Sequence, residues 1–189
     1  MKFKNKAFTL FELLVVISII MTLMIVVYLP YSHYQNKAKL KLVSREISQS
    51  FYEARNMAVS GIKDITGNRS IGLYFSNQDG SDDKIIFFSY PHNIDTNLIN
   101  NIESSDVKII KTNTIQDNIN IDYLDGYDNL LFFFNSISGE SSVYTFTSSG
   151  KNIVNKDKIS IKFSYKKSMS ETLRKELIYY KDTNIIDYK

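Results

Sequence analysis

The sequence predicts an α+β fold, with one long N-terminal helix packed on an antiparallel β-sheet head. Three observations carry that expectation. Residues 8–29 form an apolar run that holds one charge, Glu12. From Lys37 to Ile62, apolar residues recur every three or four positions, the period of a helix with one buried side. From Ser70 onward, short runs rich in β-branched and aromatic residues replace that period. No helical stretch separates them, so antiparallel pairing is expected. The expected divisions are a basic leader over 1–7, a membrane-spanning half of the helix over 8–29, an amphipathic half over 30–62 and a β head over 63–189.

The first thirty residues carry the most information. Lys2, Lys4 and Lys6 precede the apolar run. At ~1.5 Å per residue, residues 8–29 make a helix of roughly 33 Å, enough to cross a hydrocarbon core of ~30 Å. The lysines place residues 1–7 in the cytoplasm and the remainder outside. No Ala-x-Ala-like site follows the run, and the run is longer than the core of a conventional secretory signal. A charge inside a membrane span is costly, which singles out Glu12. Pro30 comes directly after the run. It removes a backbone donor and crowds the preceding turn, so a bend is expected there. The helical pattern then resumes through Leu40, Val43, Ile47, Phe51, Ala54, Ala58 and Ile62. Ala54 and Ala58 suit close approach of a sheet.

Residues 61–68 (GIKDITGN) read as a loop. Strands are expected over 70–76, 84–90, 107–111, 119–123, 130–134, 143–147, 159–165, 177–180 and 185–188, six to nine in all. Residues 77–83 read as a hairpin loop, and residues 91–104 as a polar surface excursion.

Composition sets limits. Beyond Lys2, Lys4 and Lys6, which precede the apolar run, bases equal the 20 acids, so the charge of the rest of the chain gives no argument for nucleic acid or anionic lipid. There is no cysteine, hence no disulfide, and two histidines leave little for a zinc site. His33 and His92 have no nucleophile in a recognisable context, and no phosphate-binding glycine loop occurs, so no catalytic residue and no cofactor are assigned.

The stretch KAFTLFELLVVISII resembles the prepilin-type cleavage and methylation signal of type IV pilins and the pseudopilins of type II secretion. The resemblance covers residues 6–30. It implies a pilin-like fold and cleavage by a prepilin peptidase between Ala7 and Phe8. Phe8 would then become an N-methylated terminus. Ala7 departs from the family, which prefers glycine there. The resemblance also implies that Thr9, Leu10 and Glu12 carry processing and assembly register, with Glu12 neutralising the Phe8 amine of a neighbouring subunit. The implied partners are the peptidase, other pilin or pseudopilin subunits, the pilus assembly platform and the membrane. The implied location is a single-pass inner or cytoplasmic membrane protein with an extracytoplasmic head, taken up into a filament. Many major pilins close a C-terminal loop with a disulfide, which this chain cannot do. REISQSFYEARNMAVSG (residues 45–61), Phe146-Thr147-Ser148-Ser149-Gly150 and a closing hairpin over 176–188 look like the minor pseudopilin H class. That class often closes the hairpin with Thr-Gly, where this chain has Thr183-Asn184. The alternatives are a single-span, membrane-anchored binding protein that never assembles and a DNA-binding competence pilin.

Two further features have bland readings beside functional ones. Asp79, Asp82 and Asp83 share one loop, and Asp122, Asp125 and Asp128 another. Calcium takes oxygen ligands from such loops, and aspartate is also a common turn residue. Residues 64–140 carry twelve acids and four bases, whereas residues 151–181 carry nine bases and three acids. Lys162, Lys166 and Lys167 interleave with Phe163 and Tyr165. A solvated surface, contact with a neighbouring head, and capture of DNA are the three readings of that basic stretch.

Overall fold

The computed structural model describes residues 9–64, 67–76, 84–91, 107–115, 118–147, 150–165 and 173–188. Of Leu29 and of residues 62–64 and 67–69 it describes the backbone alone. The chain divides into two compact units, Met1–Ala38 and Lys39–Lys189.

Helix α1 runs over Leu10–Ser60 with Pro30 in its interior. It ends at Gly61, whose N–H bonds the Ala58 carbonyl at 3.2 Å and whose φ is 71°. That left-handed residue after the last turn is the usual glycine stop. In the first unit the described large apolar side chains of the helix, between Leu10 and Tyr34, are exposed. An 18-residue window of α1 has a mean hydropathy of 2.9 and none of it is buried, so length and composition suit a membrane crossing.

In the second unit α1 buries Leu40, Val43, Ile47, Phe51, Ala54 and Ala58. These recur at three or four residues and therefore share one side of the helix. Among the described residues eleven strands follow: β1 (Ile62–Asp64), β2 (Gly67–Ser76), β3 (Lys84–Pro91), β4 (Lys108–Thr114), β5 (Ile119–Leu124), β6 (Asn129–Phe134), β7 (Ser141–Thr147), β8 (Gly150–Ile153), β9 (Lys158–Tyr165), β10 (Arg174–Tyr180) and β11 (Ile185–Tyr188). They form two antiparallel sheets. The larger has the order β4-β3-β2-β6-β7-β8, with β1 folded back on β2; the smaller has the order β11-β10-β9-β5.

The sequence predicts one sheet of six to nine strands; the described residues form two sheets that together hold eleven strands. β1 lies inside the turn-rich stretch read as a loop. β8 is four residues with no apolar alternation. The split into two sheets depends on pairing at long range: β5 pairs β9, while β6 pairs β2. Local patterning carries no information about which distant strand is the partner.

One core joins the helix to both sheets. Phe51 stacks on Phe75 of β2 at 5.4 Å and on Tyr179 of β10 at 5.1 Å, and meets Phe132 of β6 edge-on at 4.7 Å. β6 is buried along its whole length because its two sides serve different clusters. Leu130, Phe132 and Phe134 face the helix core. Leu131 and Phe133 join Phe88, Tyr90 and Tyr144 on the opposite side of the sheet. Gly72 leaves room there for the Phe88 ring, which an added Cβ would overlap. Lys151 Nζ sits 4.3 Å above the Tyr144 ring. Burial pushes the Tyr90 hydroxyl well above its ordinary range. Asn129, also buried, donates to the Phe146 carbonyl at 3.0 Å and accepts from the Phe146 N–H at 2.7 Å, tying β6 to β7.

The two sheets are also fastened by a polar latch. The Tyr179 hydroxyl donates to Asn184 Oδ1 at 2.6 Å and is hydrogen-bonded to Ser141 Oγ. Asn184 Nδ2 donates to the Gly139 carbonyl at 3.2 Å. Asn184 has φ 53°, a conformation that asparagine tolerates better than most residues. It therefore supplies the backbone geometry that glycine gives elsewhere, closes its own hairpin on Tyr179 and adds one bond across to the larger sheet at Gly139. Burial pushes the Tyr179 pKa up to about 12, against a smaller opposite effect of the Ser141 bond. An unfolded tyrosine titrates near ~10, so this contribution to stability is complete below about pH 10 and lost as pH rises through about 12. Tyr179→Phe is expected to cost about 1–2 kcal/mol at neutral pH and to flatten the loss of stability above pH ~10. Thermal melts of both chains at pH 8 and 11 check this.

Candidate functional site

The residues singled out at the start of α1 meet in a reciprocal cap. Thr9 N–H donates to Glu12 Oε2 at 2.9 Å, and the Thr9 hydroxyl donates to the same oxygen at 2.8 Å. Glu12 N–H donates back to the Thr9 hydroxyl at 3.2 Å, and Leu13 N–H reaches the Thr9 carbonyl. Thr9 is the N-cap and Glu12 the third helical residue, the spacing at which each side chain satisfies the other's backbone donor. Threonine followed three residues later by glutamate is a capping signature legible in the sequence itself. Both bonds to the carboxylate use Oε2; among the described residues Oε1 makes none. Leu10 is exposed beside them. Ala7 and Phe8 lie outside the described residues.

The rest of the apolar half satisfies its own polar groups. Ser18 donates to the Leu14 carbonyl and Thr22 to the Ser18 carbonyl, each at 2.8 Å. Such bonds remove two hydroxyls from competition with an apolar surrounding. Helix α1 continues through Pro30.

The acidic loops fare differently. Asp79, Asp82 and Asp83 lie outside the described residues. Asp125, at φ 54°, forms a turn with Gly126, and its carboxylate meets Lys156 Nζ at 2.7 Å. That bond raises the Lys156 pKa, and the ammonium also lies 5.4 Å from the Tyr127 ring. Asp122 lies 3.9 Å from Arg174. Among the described residues no three histidine, aspartate or glutamate side chains gather as metal ligands.

Of the basic stretch, Lys162 is described and Lys166 and Lys167 are not. Lys162 Nζ stands 3.8 Å from Glu176 and 5.3 Å from the Tyr123 ring. Its charge is therefore partly answered within its own sheet. His33 is exposed and His92 lies outside the described residues. A cleft of about 470 Å³ between α1 and β4 is lined by Glu46, Gln49, Glu53 and Lys111, and Lys111 crosses it to Glu53 at 3.1 Å.

The family model described as the prokaryotic N-terminal methylation motif matches residues 2–28. No curated protein and no solved structure matches the chain. The matched stretch contains the whole Thr9–Glu12 cap and most of the apolar run. With one long helix followed by antiparallel sheets, the motif supports a type IV pilin-like, membrane-anchored protein that is processed by a prepilin peptidase.

Proposed function

We propose that this chain is a minor pilin or pseudopilin, a structural subunit of a type II secretion pseudopilus or a type IV pilus. Its place among minor subunits of the H class rests on the sequence pattern over 45–61 and 146–150, the closing hairpin and the lack of cysteine. The leader over 1–7 is removed between Ala7 and Phe8 and the new amine of Phe8 is methylated. The processed chain waits in the inner or cytoplasmic membrane, with its head outside. An assembly platform then draws it into a filament, where residues 8–29 leave lipid for the filament core.

The observation that carries this reading is the Thr9–Glu12 cap within the matched motif. An ammonium or a carboxylate left alone in an apolar setting is expensive, and opposite charges there attract strongly. The cap holds the carboxylate by Oε2 and leaves Oε1 to meet the Phe8 ammonium of the adjacent subunit. That pairing satisfies both charges and sets the axial step. Thr9 is then a positioning residue. Thr9→Val keeps the shape and removes the hydroxyl. It is expected to leave the cleaved product at wild-type abundance in the membrane and to lower its share in sheared filaments several-fold. Thr9→Ser should restore that share. Ala7→Gly should speed leader removal or leave it unchanged in a pulse-chase; slower removal would count against the assigned bond.

The experiment that tests the whole reading compares membranes and sheared filaments from cells that express the natural chain. The processed chain should be found in both fractions. A chain that keeps its leader and stays only in the membrane would instead be the non-assembling binding protein.

A further inference from the structure

We propose that Tyr28, Tyr31 and Tyr34 form an interfacial girdle seated at the phospholipid headgroup boundary of the leaflet remote from Thr9, and that this girdle sets the depth of Glu12 before assembly. This rests on the reading of residues 8–29 as a membrane span.

The three tyrosines follow one another at three-residue steps where the apolar run ends, so they lie along one side of α1. All are more than half exposed, and none of their hydroxyls has a partner among the described residues. A tyrosine with an apolar ring and an unanswered hydroxyl suits the level where acyl chains meet headgroups. The same side of the helix carries a shallow apolar trough of about 740 Å³, lined by Leu23, Met24, Val27, Tyr28 and Tyr31 among others. An acyl chain fits that trough with its headgroup at the tyrosine hydroxyls.

Pro30 supplies a second, independent reason. It has no N–H to offer the carbonyl of Val26 four residues earlier. In hydrocarbon that oxygen would be costly, whereas at the boundary water and headgroups can bond to it. The proline therefore belongs at the same level as the tyrosines that bracket it.

The girdle has a consequence at the other end. Sixteen residues separate Tyr28 from Glu12, ~24 Å of helix at ~1.5 Å per residue. With Tyr28 at one edge of a ~30 Å core, Glu12 falls just inside the opposite edge and Thr9 close to it. The aromatic anchor thus holds the capped carboxylate within reach of the leaflet where the leader is cut.

The chain contains no tryptophan, so one introduced indole is a unique reporter. The full chain is reconstituted in phosphatidylcholine–phosphatidylglycerol vesicles as Tyr28→Trp, Tyr31→Trp, Tyr34→Trp or Met21→Trp. Quenching by lipids brominated near the headgroup is compared with quenching by lipids brominated near the chain end. Shallow bromines should quench the three girdle positions more, and deep bromines should quench Met21→Trp more. Adding Tyr28→Ala, Tyr31→Ala and Tyr34→Ala to Met21→Trp should shift the depth of its indole. Four results would overturn the proposal. The girdle indoles could be quenched mainly by aqueous iodide. They could be quenched mainly by deep bromines. Their shielding could grow with the protein-to-lipid ratio, which marks contact with a second helix. The Met21→Trp depth could stay unchanged when the tyrosines are removed. If no bromine quenches Met21→Trp, the span itself is wrong and the girdle falls with it.

Discussion

Phe51→Ala will lower the stability of the head by about 3–5 kcal/mol, the range for removing a large buried aromatic ring. Phe51 is 2% exposed and touches aromatic rings from β2, β6 and β10 at once. Those strands belong to different sheets, so the cavity opens where the helix and both sheets meet. No single neighbour can fill it by shifting without leaving another contact. At ~2–4 °C per kcal/mol for a chain of this size, the melting temperature should drop by roughly 6–20 °C. Tyr52→Ala is the control. Its side chain is 45% exposed, so the effect should stay within about 0.5 kcal/mol. Circular dichroism melts of the full chain in detergent compare the two. Equal melting temperatures for both variants would remove Phe51 from its central place.

The largest functional effect is expected at Glu12. Glu12→Ala should leave the proposed cleavage after Ala7 intact, since the bond assigned to the peptidase precedes the cap. It should then lower recovery in sheared filaments by at least about tenfold, because under the proposed pairing the Phe8 ammonium of the next subunit would enter an apolar core without a counter-ion. Glu12→Gln separates charge from shape. The amide oxygen can still accept from Thr9, so the cap survives, but the ammonium remains unneutralised. Its assembly defect should therefore approach that of Glu12→Ala, whereas Thr9→Val should be milder. Immunoblots of membrane and filament fractions with an antibody to the head measure all three. Normal recovery of Glu12→Gln would show that the cap, not the charge, carries the role of this residue.

Much of the architecture was legible because it is written in local periods. The spacing Leu40, Val43, Ile47, Phe51, Ala54, Ala58 marks the buried side of α1 without any knowledge of what covers it. The change of period after Gly61 marks the start of the strands. What escaped was pairing. Asn129–Phe134 reads only as a strand, yet it is buried on both sides. Its unbroken apolar run was the available sign of two covered faces. The short strands β1 and β8 lacked any apolar alternation to reveal them. The latch from Tyr179 to Asn184, Ser141 and Gly139 joins residues up to 45 positions apart, and no spacing rule reaches that far.

The site divides in the same way. Glu12 stands out in the sequence as the lone charge of an apolar run and Thr9 through the family resemblance, while the relation between them, a capping box, is written in their three-residue spacing. Asp125 was grouped with its neighbours in the acidic loop, but its carboxylate is held by Lys156 from 31 positions away. Lys162 belongs to the basic run in sequence, but it pairs with Glu176 of the adjacent strand. Each charge looked free in one dimension because its partner arrives only when the sheet is formed.

The most direct measurement is the intact mass and N-terminal sequence of the protein extracted from its native membrane while its filament system is running. The account predicts a chain that begins at an N-methylated Phe8. A chain that still begins at Met1 would contradict it.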